Sequence, residues 1–488
     1  MKSFNALLSH QVTNNVYTKL YQHIKDNSVD QITDIHQKAL SINLNKSQYG
    51  TIAEIGAGQE TARWFFLVGG AAGTIAKAMS AYDMTFSDSI YGKSPRYVSR
   101  ERLNSMLDYE YKLVVERLDE SKGADCTFFA FSNTVASRSF SRDVDGHGWL
   151  GIKFQTSPRS EPSRIDIHVH LTGKQAVTDQ ETLGVLGVNL IYGALTHHKD
   201  AEKLLQSLMD ELDDNNLEID MVDFSGPAFE HVDNRLMALK LVQFGMTHGA
   251  MFNANGEIVH PADVLYKKAV LVERSRFNPP TLLNMDMLDC AQKKFLDEHD
   301  IDEKNLVVIS EMTTNNLRDQ NEVDTEDFLR RADVLCALGK NVLISDMDRY
   351  FRLASYLFRA TQMPVGIALG IPTLRGIFNE KYYEDLPGGI LEAFGRLFKY
   401  DLRLYVAPCL DEKTDHLTTI DNYEPEKHLS HLYHHLVENG HIASLNAINK
   451  DYLCIHSHDV LEQIKCGSCE WEDKVPDTVR EIIKKQTT

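Results

Sequence analysis

Three groups of residues in this chain have the types and spacing to do chemistry. The largest consists of polar segments that each follow a short apolar run: Glu273-Arg274-Ser275-Arg276, Ser310-Glu311-Met312-Thr313-Thr314-Asn315-Asn316, Ser345-Asp346-Met347-Asp348-Arg349 and Gly370-Ile371-Pro372-Thr373-Leu374-Arg375-Gly376. Glu311, Asp346 and Asp348 have the chemistry of general acids and bases, or of anchors for a divalent metal or a hydroxyl. Arg274, Arg276 and Arg375, with Asn315, have the chemistry of a clamp for carboxylate or phosphate. Gly388-Gly389 opens the helical pattern Ile390-Leu391-Glu392-Ala393-Phe394, whose first N–H groups can hold an anion. The plainer reading is that loops after strands are polar and that Asp or Ser there caps the next helix.

The second group is Asp166-Ile167-His168-Val169-His170-Leu171. Residues two apart on a strand share a face, so His168 and His170 can grip one divalent metal ion. The run resembles the first-strand His-x-His of amidohydrolase-type metal barrels, but positions 273, 311 and 346 carry none of the Lys or His such a site needs. A His pair on a strand is also an ordinary ladder feature. The third group lies near the C-terminus, where Cys454, His456 and His458 precede Cys466-Gly467-Ser468-Cys469. Two cysteines two residues apart suit zinc, although the full spacing matches no standard knuckle. His428, His431, His434 and His435 stand at helical spacing and read more simply as a solvated or packed face.

Glu54-Ile55-Gly56-Ala57-Gly58 resembles the Glu-x-Gly-x-Gly turn of S-adenosylmethionine-dependent methyltransferases, with Asp83 downstream where a ribose-binding acid belongs. The strand before it is short, and Gly69-Gly70 and Gly73 break the helix after it. Small residues that allow close helix packing explain the stretch equally well. The chain has no P-loop, no Gly-x-Ser-x-Gly elbow, no His-Glu-x-x-His and no Gly-x-Gly-x-x-Gly in a βαβ setting. Standard ATPase, serine hydrolase, zincin and dinucleotide dehydrogenase readings lose ground accordingly.

The elements that must position these groups follow from periodicity. After about residue 265, apolar runs at 270–272, 306–309, 342–344, 365–369 and 402–406 alternate with amphipathic stretches at 284–298, 325–338, 349–361 and 389–399. Such alternation predicts βαβ crossovers and a buried parallel sheet. An open doubly wound sheet fits it better than a closed barrel, which would have to recruit strands at 165–171, 217–224 and 249–253. Upstream, strand patterns at 125–171 separated by turn-rich segments predict antiparallel pairing. Residues 4–45 and 98–122 read as helical. The fold class predicted is α/β, α+β overall. The regions expected are a helical, Gly/Ala-rich 1–122, a mixed α+β domain 123–264, a parallel α/β domain 265–410 and a helical extension 411–488.

A chain of 488 residues exceeds what one core supports. With 70 acidic against 51 basic residues its net charge is −19, which argues against nucleic acid or a membrane surface as the main partner. The seven cysteines are scattered and odd in number, which suits a reducing compartment. No stretch has the apolar length of a signal core or a spanning helix, so a cytoplasmic location is expected.

Residues 53–84, 183–195 and 232–268 (AEIGAGQETARWFFLVGGAAGTIAKAMSAYDM, LGVLGVNLIYGAL and VDNRLMALKLVQFGMTHGAMFNANGEIVHPADVLYKK) resemble a family of long bacterial proteins. Members carry labels such as nicotinate-nucleotide adenylyltransferase, which would imply a nucleotide substrate. The His-x-Gly-His signature of nucleotidyltransferases has its nearest fragment in Thr247-His248-Gly249, so the resemblance transfers no residue.

Together these readings predict an enzyme acting on a small anionic or phosphorylated metabolite, such as a nucleotide, at the carboxyl edge of the C-terminal sheet. Two alternatives stay open. One is a metal-dependent hydrolase centred on His168 and His170. The other is a non-catalytic scaffold or homo-oligomer that uses the Gly/Ala-rich stretch at 51–83 as a packing surface.

Overall fold

The computed structural model describes residues 32–138, 145–173, 175–213, 215–319, 322–411 and 414–487. Much of the expected helical lead-in at 4–45 lies outside the described residues. Among the described residues the fold is mixed α/β with two large sheets and no closed barrel. The chain divides into two compact units, residues 1–247 and 248–488.

The first unit is built on β1 (Gln48–Gly56), β2 (Ile75–Ser80), β3 (Thr127–Ala136), β4 (Gly146–Phe154), β5 (Ser163–Leu171) and β6 (Leu217–Ser225), in the spatial order β2-β1-β3-β4-β5-β6. β1 is parallel to both β2 and β3. From β3 to β6 every pairing is antiparallel; short connections join β3 to β4 and β4 to β5, while two helices lie between β5 and β6. One face carries Ile52, Phe129, Phe131, Leu150, Ile152, Ile165 and Ile167. It packs against α1 (Ile35–Leu44), α2 (Thr61–Val68) and the largely apolar α5 (Ala176–His197). The opposite face is partly covered by α4 (Arg100–Lys122), whose Leu103, Met106 and Leu107 are fully buried. The helix α3 (Met84–Tyr91) precedes α4, and α6 (Ala201–Leu208) and α7 (Asn234–Gln243) flank β6.

Close helix packing does depend on small residues, but mainly those of α5. A Cβ at Gly187 would sit 2.2 Å from the Thr61 hydroxyl oxygen, and one at Gly184 only 2.7 Å from the Glu60 Cβ. Within the Gly/Ala-rich stretch, Gln48–Gly56 and Ile75–Ser80 are strands rather than helix. Their small side chains hide the two-residue alternation, because β1 is buried along most of its length.

The second unit's eight-stranded sheet comprises β7 (Gly249–Phe252), β8 (Ile258–Val259), β9 (Ala269–Arg274), β10 (Leu306–Thr313), β11 (Asn341–Ser345), β12 (Val365–Gly370), β13 (Leu402–Ala407) and β14 (Ile442–Ser444). β9 to β14 are mutually parallel. β7 joins β11 antiparallel, and β8 extends that edge. The helices between strands are α8 (Leu282–His299), α9 (Thr325–Ala337), α10 (Tyr350–Ala360), α11 (Ile371–Ile377), α12 (Gly389–Leu397) and α13 (Ser430–Glu438). The spatial order of the parallel strands is β14-β13-β12-β9-β10-β11. Numbered along the chain this is 3-2-1-4-5-6 read from the other side, the order of doubly wound nucleotide-binding folds. The expected open sheet is present, with β14 added beyond the anticipated strands.

Alternation along β9 assigns its residues to opposite faces. Val270 and Val272 enter the core beneath α10 and α12, while Ala269 and Leu271 pack with Leu288, Ala291 and Phe295 of α8. Continuing the period of two, Glu273 points to the α8 face and Arg274 to the α10 face. The residue that opens each polar segment is therefore set by the strand before it.

Candidate functional site

The strand order reverses between β9 and β12: the chain leaves β9 toward β10 on one side and later returns to place β12 on the other. Loops diverge at such a point, which leaves a crevice outside the carboxyl ends of the strands. On the α8 face that crevice has a volume of about 300 Å³. Its walls are Glu273, Arg274 and Ser275 at the end of β9, Thr281, Leu283, Asn284 and Met287 at the start of α8, Leu369 and Gly370 at the end of β12 with Thr373 of α11, Ala407 at the end of β13 with Pro408 and Cys409, and His456 and Ser457.

Glu273 is the crevice's most unusual group. Its side chain is fully buried, one carboxyl oxygen accepts from Asn284 Nδ2 at 2.6 Å, and the other has no hydrogen-bond partner among the described residues. Burial pushes its carboxyl up to about 8, against the weaker opposing effects of Asn284 and the Lys340 charge. Near neutral pH it is mostly a protonated acid, able to donate a hydrogen bond to a ligand or a proton to a reacting atom. Asn284 is held for this contact by a reciprocal capping box with Thr281, so the first turn of α8 also lines the crevice. Helix N-termini carry partial positive charge, which favours an anion there.

On the α10 face lies a second cavity of about 430 Å³, lined by Arg274, Thr313, Asn315, Asn316, Asp348, Arg349, Tyr350 and Thr373. Arg274 does not offer its fork to this space. Its Nε and Nη2 each donate to the Glu311 carboxylate at 2.8 Å, and Ser345 Oγ donates to the same carboxylate at 2.6 Å. Arg274 also lies over the Tyr350 ring at 4.4 Å. Burial opposes its charge, but the Glu311 carboxylate, together with Tyr350 and Asp348, holds the guanidinium above its ordinary value. The pair locks β9 to β10, and both Glu311 oxygens are occupied by it.

The other residues singled out in the sequence are dispersed around this edge. Asp346 accepts from His248 Nδ1 at 3.1 Å, and Asp348 pairs at 3.8 Å with Arg349 and with Arg352. Asn315 is exposed on the rim of the α10-face cavity. Arg276 is exposed, and its carbonyl accepts from Arg331 at 3.1 Å. Arg375 is exposed on α11. The Gly388 N–H donates to Glu392 Oε2 at 2.9 Å, so the helix's own carboxylate caps that end. Gly389 adopts φ 55°, the left-handed turn that favours glycine there.

In the first unit, Glu54 is likewise explained by local structure. Its carboxylate accepts from the backbone N–H of Thr61 at 2.9 Å and caps α2. Burial raises its pKa, and the capping bonds oppose the rise. His168 and His170 do come together with other ligating groups. Asp220 Oδ1 lies 2.7 Å from His168 Nδ1, its Oδ2 lies 3.0 Å from His170 Nε2, and His147 Nδ1 lies 3.3 Å from His168 Nε2. Cys454, Cys466 and Cys469 are exposed and join no three-ligand group among the described residues.

Reading the sequence alone passed over Glu273, His147 and Asp220 as site residues. An acid closing the apolar run Ala269–Val272, and polar Glu218 and Asp220 alternating with buried apolar residues in β6, were the available signals.

No family model matches the chain, and no curated protein matches it. Among solved structures, the competence/damage-inducible protein CihA from Agrobacterium tumefaciens is similar at 16% identity, over 36% of this chain and 94% of that one, with a TM-score of 0.23. A CinA superfamily protein from Klebsiella pneumoniae is similar at 12% identity, over 35% and 99%, with a TM-score of 0.25. A Vibrio parahaemolyticus structure named for a nicotinate-nucleotide adenylyltransferase is similar at 14% identity, over 45% and 93%, with a TM-score of 0.22. At these scores the likenesses establish no family. Function must be argued from the site.

Proposed function

We propose that this protein is an enzyme acting on a small anionic metabolite, bearing carboxylate or phosphate, bound at the carboxyl edge of the second unit's parallel sheet. The observation that carries the reading is Glu273: a fully buried carboxyl with one unpartnered oxygen, lining the crevice where the strand order reverses. Burying a polar atom without a partner is costly, and a ligand that completes its hydrogen bonding offsets that cost. Being largely neutral near pH 7, Glu273 does not repel an anion, and the first turn of α8 attracts one.

In this reading Glu273 serves as general acid or hydrogen-bond donor, while Ser275, Thr373 and Ser457 supply hydroxyls for orientation. Arg274, Glu311 and Ser345 hold the edge rigid. Asn315 and Asp348 line the separate α10-face cavity, and Asp346, Arg276 and Arg375 line neither it nor the crevice, so this reading gives these five residues no role. A crevice of about 300 Å³ falls at the small end of ligand pockets, so a small metabolite or one portion of a nucleotide is the expected occupant.

The test is a thermal-shift panel of mononucleotides, sugar phosphates and carboxylic acids on the intact protein. A ligand at 100 times its Kd stabilises by about 2.7 kcal/mol, which a melting curve resolves. The reading expects a hit that Glu273→Leu abolishes. A hit that survives Glu273→Leu undiminished would remove the crevice as its site.

A further inference from the structure

The antiparallel ladder of β4 and β5 sets His147 opposite His170 and Trp149 opposite His168. The two-residue period then puts all three imidazoles on one face of the first unit's sheet. On the far side of β5 the ladder with β6 shifts register: His168 pairs with Met221, Val169 pairs with Ile219, and Asp220 is the extra residue between them. Such a bulge re-aims a side chain, and here Asp220 spans both histidines of β5, at 2.7 Å from His168 Nδ1 and 3.0 Å from His170 Nε2. His168 is fully buried, and Trp149 packs against its ring at a centroid distance of 4.9 Å.

The protonation chemistry is specific. A carboxylate at Nδ1 fixes the His168 proton on that nitrogen and leaves Nε2 as a lone-pair donor. Nε2 lies 3.3 Å from His147 Nδ1. Two nitrogens bound to one tetrahedral ion at about 2.0–2.1 Å stand roughly 3.3 Å apart. His168, His170 and Asp220 each bring a ligand atom within 4.8 Å of the others.

We propose that the first unit binds one divalent transition metal ion of the zinc class, with His147 Nδ1, His168 Nε2 and His170 as imidazole ligands. Asp220 is the positioning carboxylate that orients His168 and His170. Neutral imidazoles favour zinc, cobalt, nickel or copper over magnesium or calcium.

The experiment uses the full-length chain purified without a His tag, loaded with Zn²⁺ or Co²⁺ and desalted. Elemental analysis should give about one ion per chain, and Co²⁺ should give the visible bands of nitrogen and oxygen ligation. His168→Ala should abolish binding. Asp220→Asn should weaken affinity by ~10–100-fold without abolishing it. The partly exposed His147→Gln, with circular dichroism as a check on folding, keeps the test valid if His168→Ala does not fold. Sub-stoichiometric metal in the wild type, or unchanged stoichiometry in His147→Gln, would overturn the proposal. So would an intense thiolate charge-transfer band, which would put the ion on the exposed cysteines.

Discussion

Replacing Glu273 by Gln removes an ionisable group while keeping its shape, so the pH dependence of stability reads its protonation state directly. The folded carboxyl is raised to about 8 from the ordinary 4.5, burial being the main cause. A raised folded value means that the native state binds the proton more tightly than the unfolded state. Its contribution is therefore fully present below about pH 4.5 and is lost progressively as pH rises to about 8. At ~1.4 kcal/mol per pH unit, the interval from 4.5 to about 8 amounts to about 5 kcal/mol. Relaxation and water entry will reduce it. The stability of Glu273→Gln relative to wild type should thus rise by roughly 2–4 kcal/mol between pH 5 and pH 8 and then level off. Subtracting the two curves cancels every other titrating group.

The assay is urea denaturation followed by tryptophan fluorescence. Trp64 and Trp149 lie in the first unit, while Trp471 is buried in the second. In a Trp64→Phe, Trp149→Phe background, Trp471 reports the second unit alone. A difference between Glu273→Gln and its parent that stays flat from pH 5 to pH 9 would mean that Glu273 is ionised throughout. The argument for a neutral acid in the crevice would then fail.

Arg274→Ala leaves the fully buried Glu311 without its partner and should cost about 3–5 kcal/mol, seen as a lowered urea midpoint. Its salt sensitivity should be slight, because the pair is not at the surface. Glu54→Ala removes the cap on the Thr61 N–H and should cost about 1–2 kcal/mol; a measured affinity for S-adenosylmethionine in the wild type, lost in this variant, would contradict the capping role. Phe66, Tyr82, Met84 and Phe86 are more than half exposed. If copies of the chain associate through these side chains, light scattering should show a mass that falls on dilution and in Met84→Ser/Phe86→Ser.

The legible part of the fold was the second unit's sheet. Runs such as Val270-Leu271-Val272 and Val365–Leu369 are apolar on both faces because helices cover both, and that gives an unmistakable pattern. β14 escaped notice because a three-residue edge strand leaves almost no periodic signal. β2 was hidden by its alanines, which carry little information about burial, and β1, expected only as a short strand before Glu54, runs for nine residues. The polar edge was visible too, but not the partition of its residues. Arg274 and Glu311 look like reagents in sequence and prove to be each other's counter-ions, a pairing set by strand register. Glu273, one residue away, faces the other way and keeps a free oxygen. His147 and Asp220 are brought to His168 by a ladder and a bulge that no local window contains.

The proposed function stands or falls on where the ligand binds. Hydrogen–deuterium exchange on the intact chain, with and without the best anionic hit from the thermal-shift panel, tests it most directly. Protection is expected at residues 273–284, 369–375 and 407–409, the segments that meet at the strand reversal. Protection confined to 53–61 or to the His168 strand, with the crevice segments unchanged, would contradict it.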